Sequence, residues 1–371
     1  MKDIPLSLYI HFPWCQRKCP YCDFNSLAMK SEPPITRYMQ TLVKDLKEEL
    51  KIEGRKKLTS IFFGGGTPSL IPGTSLSNFF SAIEREFDLS NVEITLEANP
   101  GTYDLRNFRK YIEIGVNRLS IGAQTFDQSA LEKLGRTHSS LEITEAFGVA
   151  RKVGFENINL DIMYGLPAQK TFRALEDLER AIDLNPEHIS WYELTIEPNT
   201  IFFSQQPSIP SEKVKEDMFH LGREKLAAAG YKQYEVSAYS KTGKESQHNI
   251  NYWKFGDYLG IGAGAHGKIT SKDRIIRTRK TRNPVDYLER YNAIKTEVCK
   301  KEVITEFLIN ALRLVEGFEL SMFEERCNKN RSDLEPFIEK GISSGFLNLV
   351  KDKVVPTTKG HLFLNELMLL I

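Results

Sequence analysis

At 371 residues the chain is too long for one compact core and implies a large unit of about 200–300 residues plus a smaller one. It is 41% hydrophobic and 27% charged with a formal net charge of +1, a globular composition with no global field that would draw it to nucleic acid or a membrane surface. No apolar run approaches the roughly 20 residues of a membrane helix, and MKDIPLSLYI lacks the layout of a secretion signal, so a cytoplasmic protein is expected.

In chain order, apolar β-branched runs predict strands at Leu6–His11, Ser60–Phe63, Glu93–Glu97, Arg118–Gly122, Asn157–Met163 and His188–Leu194. Between and after them, helical periodicity predicts helices near Tyr38–Lys51, Leu76–Phe87, Leu105–Ile114, Leu141–Val153, Thr171–Leu184 and Val214–Ala229. Strand–helix units in series imply a parallel sheet with right-handed crossovers. Six is fewer than the eight of a closed barrel. The expected fold is therefore α/β, a partial (β/α)6 TIM-like barrel, with a flat doubly wound sheet as the alternative.

Past Ala229 the alternation stops, and Tyr234–Tyr239 reads as a further strand. A glycine-rich YLGIGAGAHG occupies 258–267, and KDRIIRTRKTR at 272–282 reads as a solvated basic face. From about Val303 the pattern gives helices at Ile304–Leu314, Leu320–Cys327 and Leu334–Ser343, a strand pair within 346–355, and a last helix Lys359–Leu369. That sequence of elements suggests a small winged-helix-like α+β domain. The expected division is 1–235 for the barrel, 236–300 for a connecting segment and 301–371 for the C-terminal domain.

The chemistry-bearing residues fall where a parallel α/β fold places its active site, at the carboxyl ends of the strands. Cys15, Cys19 and Cys22 follow the first strand and Gly64-Gly65-Gly66-Thr67-Pro68 the second. Glu97 ends the third, and Gln124 and Arg136 lie on the connection after the fourth. Asp161 is near the end of the fifth, and Thr195 is just past the sixth. The C-x3-C-x2-C spacing directs three thiolates to one [4Fe–4S] cubane and leaves one iron without a protein ligand. The alternative is zinc with His11 as fourth ligand. His11 lies within a strand, however, and the flanking Phe12, Trp14, Tyr21 and Phe24 suit a cluster shielded from water. Three clustered cysteines of five also fit a metal site in a reducing compartment better than a disulfide framework. Cys299 and Cys327 lie far from this loop and read as ordinary thiols. The glycine triplet lacks the Lys-Ser/Thr of a phosphate loop, so a nucleoside triphosphate is discounted.

This cysteine spacing, with Tyr21 before its last cysteine, resembles the radical S-adenosylmethionine (SAM) superfamily. The resemblance implies that the amino and carboxylate groups of SAM chelate the open iron, and that FFGGGTPS holds the methionine amino group. The contexts ITLEANP, SIGAQTF, LGRTH and NLDIMYGLP resemble one branch: the oxygen-independent coproporphyrinogen III dehydrogenases and the related haem chaperones. The resemblance spans nearly the whole chain. It carries SAM contacts onto Tyr9, Gly65, Gly66, Thr67, Glu97, Gln124, Arg136 and Asp161, with Thr195 a looser match.

Two departures separate this chain from the dehydrogenases. Their fourth cysteine, two residues after the third, is here Phe24, and their N-terminal extension is not matched, since eight residues precede Tyr9. Both favour the chaperones, as does His248-Asn249-Ile250-Asn251-Tyr252-Trp253, which matches an HNxxYW pattern associated with haem. The expected haem contacts are His248, Asn249, Tyr252 and Trp253, with His248 or His266 as iron ligand. The alternative for the segment is a hydrogen-bonded histidine with its aromatics packed in an interdomain seam. The basic run at 272–282 has a second reading, charge pairing with haem propionates or an acidic partner.

The resemblance thus implies a haem chaperone with a [4Fe–4S] cluster, SAM, and haem as cargo. Its partners would be haem-accepting proteins, including respiratory membrane proteins reached by peripheral association, and cluster and SAM would control transfer or homodimerisation. Coproporphyrinogen III decarboxylation and a zinc-bearing nucleic-acid binder are the alternatives. DLEPFIEKGIS carries more acid than base, which opposes phosphate binding, so no nucleic-acid partner is expected.

Overall fold

A computed structural model describes residues 4–53, 57–271, 274–299 and 301–371. Strands β1 (Leu6–Phe12), β2 (Leu58–Gly65), β3 (Glu93–Ala98), β4 (Arg118–Gln124), β5 (Ile158–Tyr164) and β6 (His188–Glu193) pair in sequence order, all parallel. Between and after them run α1 (Ile35–Glu53), α2 (Gly73–Ile83), α3 (Leu105–Glu113), α4 (Ser140–Val153), α5 (Thr171–Asp183) and α6 (Glu212–Ala228). Each boundary lies within a few residues of its expected place. The strands are buried on both faces, as helix-covered parallel sheets require. The helix ends have local causes. Ser139 and Glu142 form a capping box at the start of α4, and Gly154 closes it in the left-handed region at φ 112°.

The sheet does not stop at six strands. β7 (Lys232–Glu235), β8 (Ala238–Ser240), β9 (Asp257–Ile261), β10 (His266–Thr270), β11 (Ile275–Arg279) and β12 (Ile294–Glu297) join it. The order is β12-β11-β10-β9-β1-β2-β3-β4-β5-β6-β8-β7, an open array. β9 pairs parallel with β1, so the parallel set has seven members rather than six. Residues from the segment expected only to connect two domains thus supply strands to the main sheet.

Three further expectations need correction. The strand expected over Tyr234–Tyr239 is a hairpin of β7 and β8, because the Glu235 carboxylate accepts from Ser237 N at 3.1 Å and turns the chain. The last helix is two pieces, Thr358–Leu362 and Leu364–Met368, broken at Phe363 (φ −114°, ψ 47°). The basic run at 272–282, expected as a solvated face, is in part interior. Lys280 is 3% exposed and its Nζ lies 2.5 Å from both Asp45 and Glu49 on α1. Residues 272 and 273 of that run lie outside the described residues.

The C-terminal unit packs on a second core, built around Phe307 with Phe318 and Phe323 edge-on at 4.9 and 5.2 Å, which Phe255 and Ile275 from the main-sheet segment also enter. Its helices α8 (Glu302–Ala311), α9 (Leu320–Cys327) and α10 (Glu335–Ser343) lean on a three-stranded antiparallel sheet of Phe318–Glu319, Leu347–Val350 and Lys353–Pro356. It docks on the barrel edge through backbone bonds, Val236 N to Arg313 O at 3.1 Å and Val315 N to Tyr234 O at 3.0 Å.

Removing Lys280 would strand two carboxylates in the interior, which typically costs about 3–5 kcal/mol. Lys280→Met is expected to lower the thermal midpoint of the purified protein markedly. An unchanged midpoint would show that α1 is not held through this triad.

Candidate functional site

A cavity of about 590 Å³ opens at the carboxyl ends of the parallel strands. Its wall gathers residues scattered over 180 positions of sequence: Cys15, Cys19, Cys22, Gly65, Gly66, Thr67, Glu97, Gln124, Arg136, Asp161 and Thr195. Asn249 and Trp253 reach the same cavity. Tyr9 does not. It lines a second cavity of about 800 Å³ on the other side of Gly65 and Glu97, with His11, His266, Arg279 and Arg282.

The cysteine loop leaves β1 as a short parallel pair, Trp14–Cys15 with Leu27–Ala28. Cys22 N donates to Cys19 O at 3.1 Å, a tight turn that brings those two side chains to the same end of the cavity as Cys15. Burial pushes the Cys15 thiol up to about 11, and Cys22 nearby adds to the shift. Burial also raises Cys22, against the Ser26 hydroxyl 3.6 Å from its sulfur. The protein alone therefore keeps these groups as thiols, and iron would supply the charge that stabilises thiolates. Among the described residues no three His, Cys, Asp or Glu side chains are arranged to hold a single metal ion. His11 is spoken for, with Nδ1 3.0 Å from Tyr9 OH and Nε2 2.9 Å from Asn25 O. The engagement of both His11 nitrogens weighs against the zinc reading, which needs His11 as fourth ligand.

The glycine triplet does two jobs. Gly65 adopts φ 113°, and a Cβ on Gly66 would sit 2.4 Å from Trp14 O. The close approach is thus to the cysteine loop's own backbone. Gly65 N donates to Glu97 Oε2 at 3.2 Å. Burial and then the Asp161 charge push the Glu97 carboxyl up to about 8, so at neutral pH it is mostly protonated. Gln124 sits in the left-handed region at φ 67°, where the β4–β5 register slips. Its Oε1 accepts from Tyr192 OH at 2.7 Å. Asp161 accepts from Ser120 Oγ at 3.1 Å and Asn159 Nδ2 at 2.9 Å. Arg136 donates to Gly122 O at 2.8 Å and toward Cys19 Sγ at 3.7 Å, while its buried Nε has no partner among the described residues. Ser190 and Tyr192 also line this wall and were missed. Ser190 stands directly opposite Asp161 on β5, and Tyr192 is two residues further along the same face of β6, so period-two alternation read from Asp161's partner would have found both.

Gln247–Trp253 is a helix, α7, capped by Ser246 and by the Glu93 carboxylate, which accepts from Gln247 N and His248 N. His248 is 1% exposed. Its Nδ1 lies 2.9 Å from Ser60 Oγ, its Nε2 3.0 Å from Tyr252 OH, and its ring stacks on Phe62 at 4.9 Å. Burial pushes it down to about 3, so it is neutral. Asn249 and Trp253 face the first cavity, whereas His248 and Tyr252 pack behind it. Trp253 lies under the Arg313 guanidinium at 4.3 Å.

A Radical SAM superfamily model matches residues 9–184, and a HemN C-terminal domain model matches residues 298–363. The Escherichia coli (strain K12) protein named heme chaperone HemW is 45% identical over 367 residues, covering 98% of this chain and 97% of that protein. This chain belongs to the HemW family of the radical SAM superfamily. The Bacillus subtilis (strain 168) HemW, also named a heme chaperone, is 34% identical over 372 residues, 97% of either chain. The solved structure of coproporphyrinogen III oxidase (HemN) from Escherichia coli aligns with a TM-score of 0.83, covering 99% of this chain and 90% of that one. At 21% identity that likeness establishes a shared fold.

Membership of the radical SAM superfamily implies a [4Fe–4S] cluster and SAM. The HemW-family wall described above fits both. Three thiols are its soft donors, and the unpartnered Arg136 Nε is a buried cation's donor without an acceptor, as a SAM carboxylate would require. Among the described residues no helix is long and apolar enough to cross a membrane.

Glu97 generates a test. Its folded pKa of about 8 exceeds the unfolded value of 4.5, so between those values the folded chain holds a proton that the unfolded chain has lost. Stability therefore falls as pH rises through that window, by up to about 1.4 kcal/mol per unit, and levels off above it. In SAM-free protein the thermal midpoint is expected to fall relative to Glu97→Gln between pH 5 and 8. Parallel pH profiles would mean that Glu97 ionises freely.

Proposed function

We propose that this chain is a haem chaperone, which binds haem and passes it to haem-dependent acceptor proteins. The observation that carries the reading is the 45% identity, over nearly the full length of both chains, to a protein named heme chaperone HemW. Phe24 in place of a fourth cysteine supports it against the dehydrogenase reading. So do two large adjoining cavities, since a carrier of a bulky cargo needs room beyond its cofactor site.

Cys15, Cys19 and Cys22 would hold the [4Fe–4S] cluster. Gly65, Gly66, Thr67, Glu97, Gln124, Arg136, Asp161 and Thr195 would surround SAM, with Tyr9 behind Glu97. When bound, the cluster supplies an electron that can cleave SAM. The chain's own part is to hold SAM: Arg136 toward its carboxylate, Asp161 and Glu97 as acceptors for hydroxyl or amino hydrogens. Asn249 and Trp253, the motif residues expected to meet haem, line the first cavity, and His248 and Tyr252 fix that helix. His248 would ligate iron only by giving up Ser60 or Tyr252. The acceptors would include respiratory membrane proteins reached by peripheral association, with cluster and SAM controlling transfer or dimerisation.

The test is an anaerobic haem titration of cluster-reconstituted protein, followed by transfer to an apo-haemoprotein, with His248→Ala and a Cys15/Cys19/Cys22→Ser variant alongside. A saturable, stoichiometric Soret band is expected, with slower hand-over from the cluster-free variant. Absence of saturable binding sinks the chaperone reading, and protoporphyrinogen IX formed from coproporphyrinogen III would restore the enzyme.

A further inference from the structure

The 800 Å³ cavity has no role in the site described above, although it shares the wall formed by Asp23, Phe24, Gly65 and Glu97. Its floor is one row of the sheet. Tyr9 on β1 faces Gly260 on β9, His266 on β10 lies directly opposite Arg279 on β11, and Arg279 opposite Ile294 on β12. Directly opposed residues share a face, so Tyr9, His266, Arg279 and Ile294 project into the same space. Gly260 lets β10 approach: a Cβ there would lie 1.9 Å from His266 O. The row is flat at its centre and carries an imidazole, a guanidinium and an apolar edge.

The state of these groups matters more than their identity. His11 and His248 each have both ring nitrogens hydrogen-bonded. His266 is exposed, with neither ring nitrogen bonded among the described residues. Arg279 has no hydrogen-bond or acid partner among the described residues. Arg282 donates only a long 3.4 Å bond to Asn25 Oδ1. Unpaired guanidiniums on a cavity rim are sites for carboxylates. Phe24, 58% exposed, adds a large apolar ring to the lining of the same cavity.

Resting on the haem-chaperone reading, we propose that haem is held in this second cavity. His266 is the iron ligand, Arg279 and Arg282 pair with the two propionates, and Phe24 packs against the porphyrin. The cavity is in the size range of sites that enclose a ligand of this class, and the cofactor cavity stays free for SAM. Asn25 links the two. It belongs to the cysteine loop, and its Nδ2 donates to Ala263 O and Arg282 O at 2.9 Å each. The haem wall is therefore tied to the cluster loop by side-chain-to-backbone bonds.

Three variants of the full chain, reconstituted with cluster, test this assignment: His266→Ala, Arg279→Ala/Arg282→Ala, and His248→Ala for comparison. All are titrated with haem and with haem dimethyl ester, which lacks the carboxylates. His266 and both arginines are exposed, so loss of fold is not expected, and retained cluster absorbance checks it. The expected result is that His266→Ala alters the Soret position and weakens haem about tenfold or more. The arginine pair should weaken haem by a similar factor while leaving the ester unchanged. If wild type binds haem and His266→Ala binds it with the same spectrum and affinity, the ligand assignment fails. If the arginine variant weakens haem and ester equally, the propionate assignment fails. If wild type binds no haem at all, the chaperone reading itself fails, a separate outcome.

Discussion

The parallel ladder between β1 and β2 does not end with the strands, and the site depends on that continuation. Gly66 N donates to Phe12 O at 2.7 Å and Thr67 N to Trp14 O at 2.8 Å, so the glycine loop is stitched to the start of the cysteine loop. The far end of the cysteine loop is stitched back in turn, Leu27 N to Pro13 O and Met29 N to Cys15 O. Three thiols thus hang from a doubly anchored loop. A side chain at Gly66 would separate the two loops and displace the three thiols and the glycine-loop backbone together.

Much of this was legible beforehand because the barrel strands are buried on both faces and read as continuous apolar runs. Their rim residues followed from strand ends alone. β9 was not legible. Its DYLGI segment is short and glycine-bearing, and its partner β1 lies far away in sequence, so no local pattern marks it. The interior position of Lys280 was hidden for a related reason: a lysine in a basic run is ordinarily solvated, and only the tertiary approach of Asp45 and Glu49 makes burial affordable. The place of His248 was also beyond reach. Helix α7 owes its position to Glu93, a residue 155 positions distant, whose carboxylate caps it.

The histidines show how much a residue's hydrogen bonds qualify a motif. HNxxYW marks an imidazole beside two aromatic rings, a pattern suited to a metalloporphyrin. In the folded chain that imidazole closes the barrel interior, wedged between Ser60, Tyr252 and Phe62. The same helix presents Asn249 and Trp253 to the cofactor cavity, and the Trp253–Arg313 stack joins it to the C-terminal unit. The motif thus lies at the junction of barrel lumen and C-terminal unit. An imidazole with open nitrogens, His266, stands in the glycine-rich segment, where the sequence offered it as the rival ligand.

The position of β1 in the sheet also governs the order of assembly. β1 is an interior strand, flanked by β2 on one side and by β9 on the other, with Leu6 opposite Asp257. A chain emerging from its N-terminus can pair β1 with β2 early, but the second edge of β1 stays open until residue 261 has been made. Such long-range pairing is slow, and an unpaired strand edge is exposed to misassociation meanwhile. The cysteine loop extends from that same strand. Its outer wall, through Asn25, is completed by residues 263 and 282. That side of the cysteine loop is therefore completed only late in synthesis, long after the loop itself has been made.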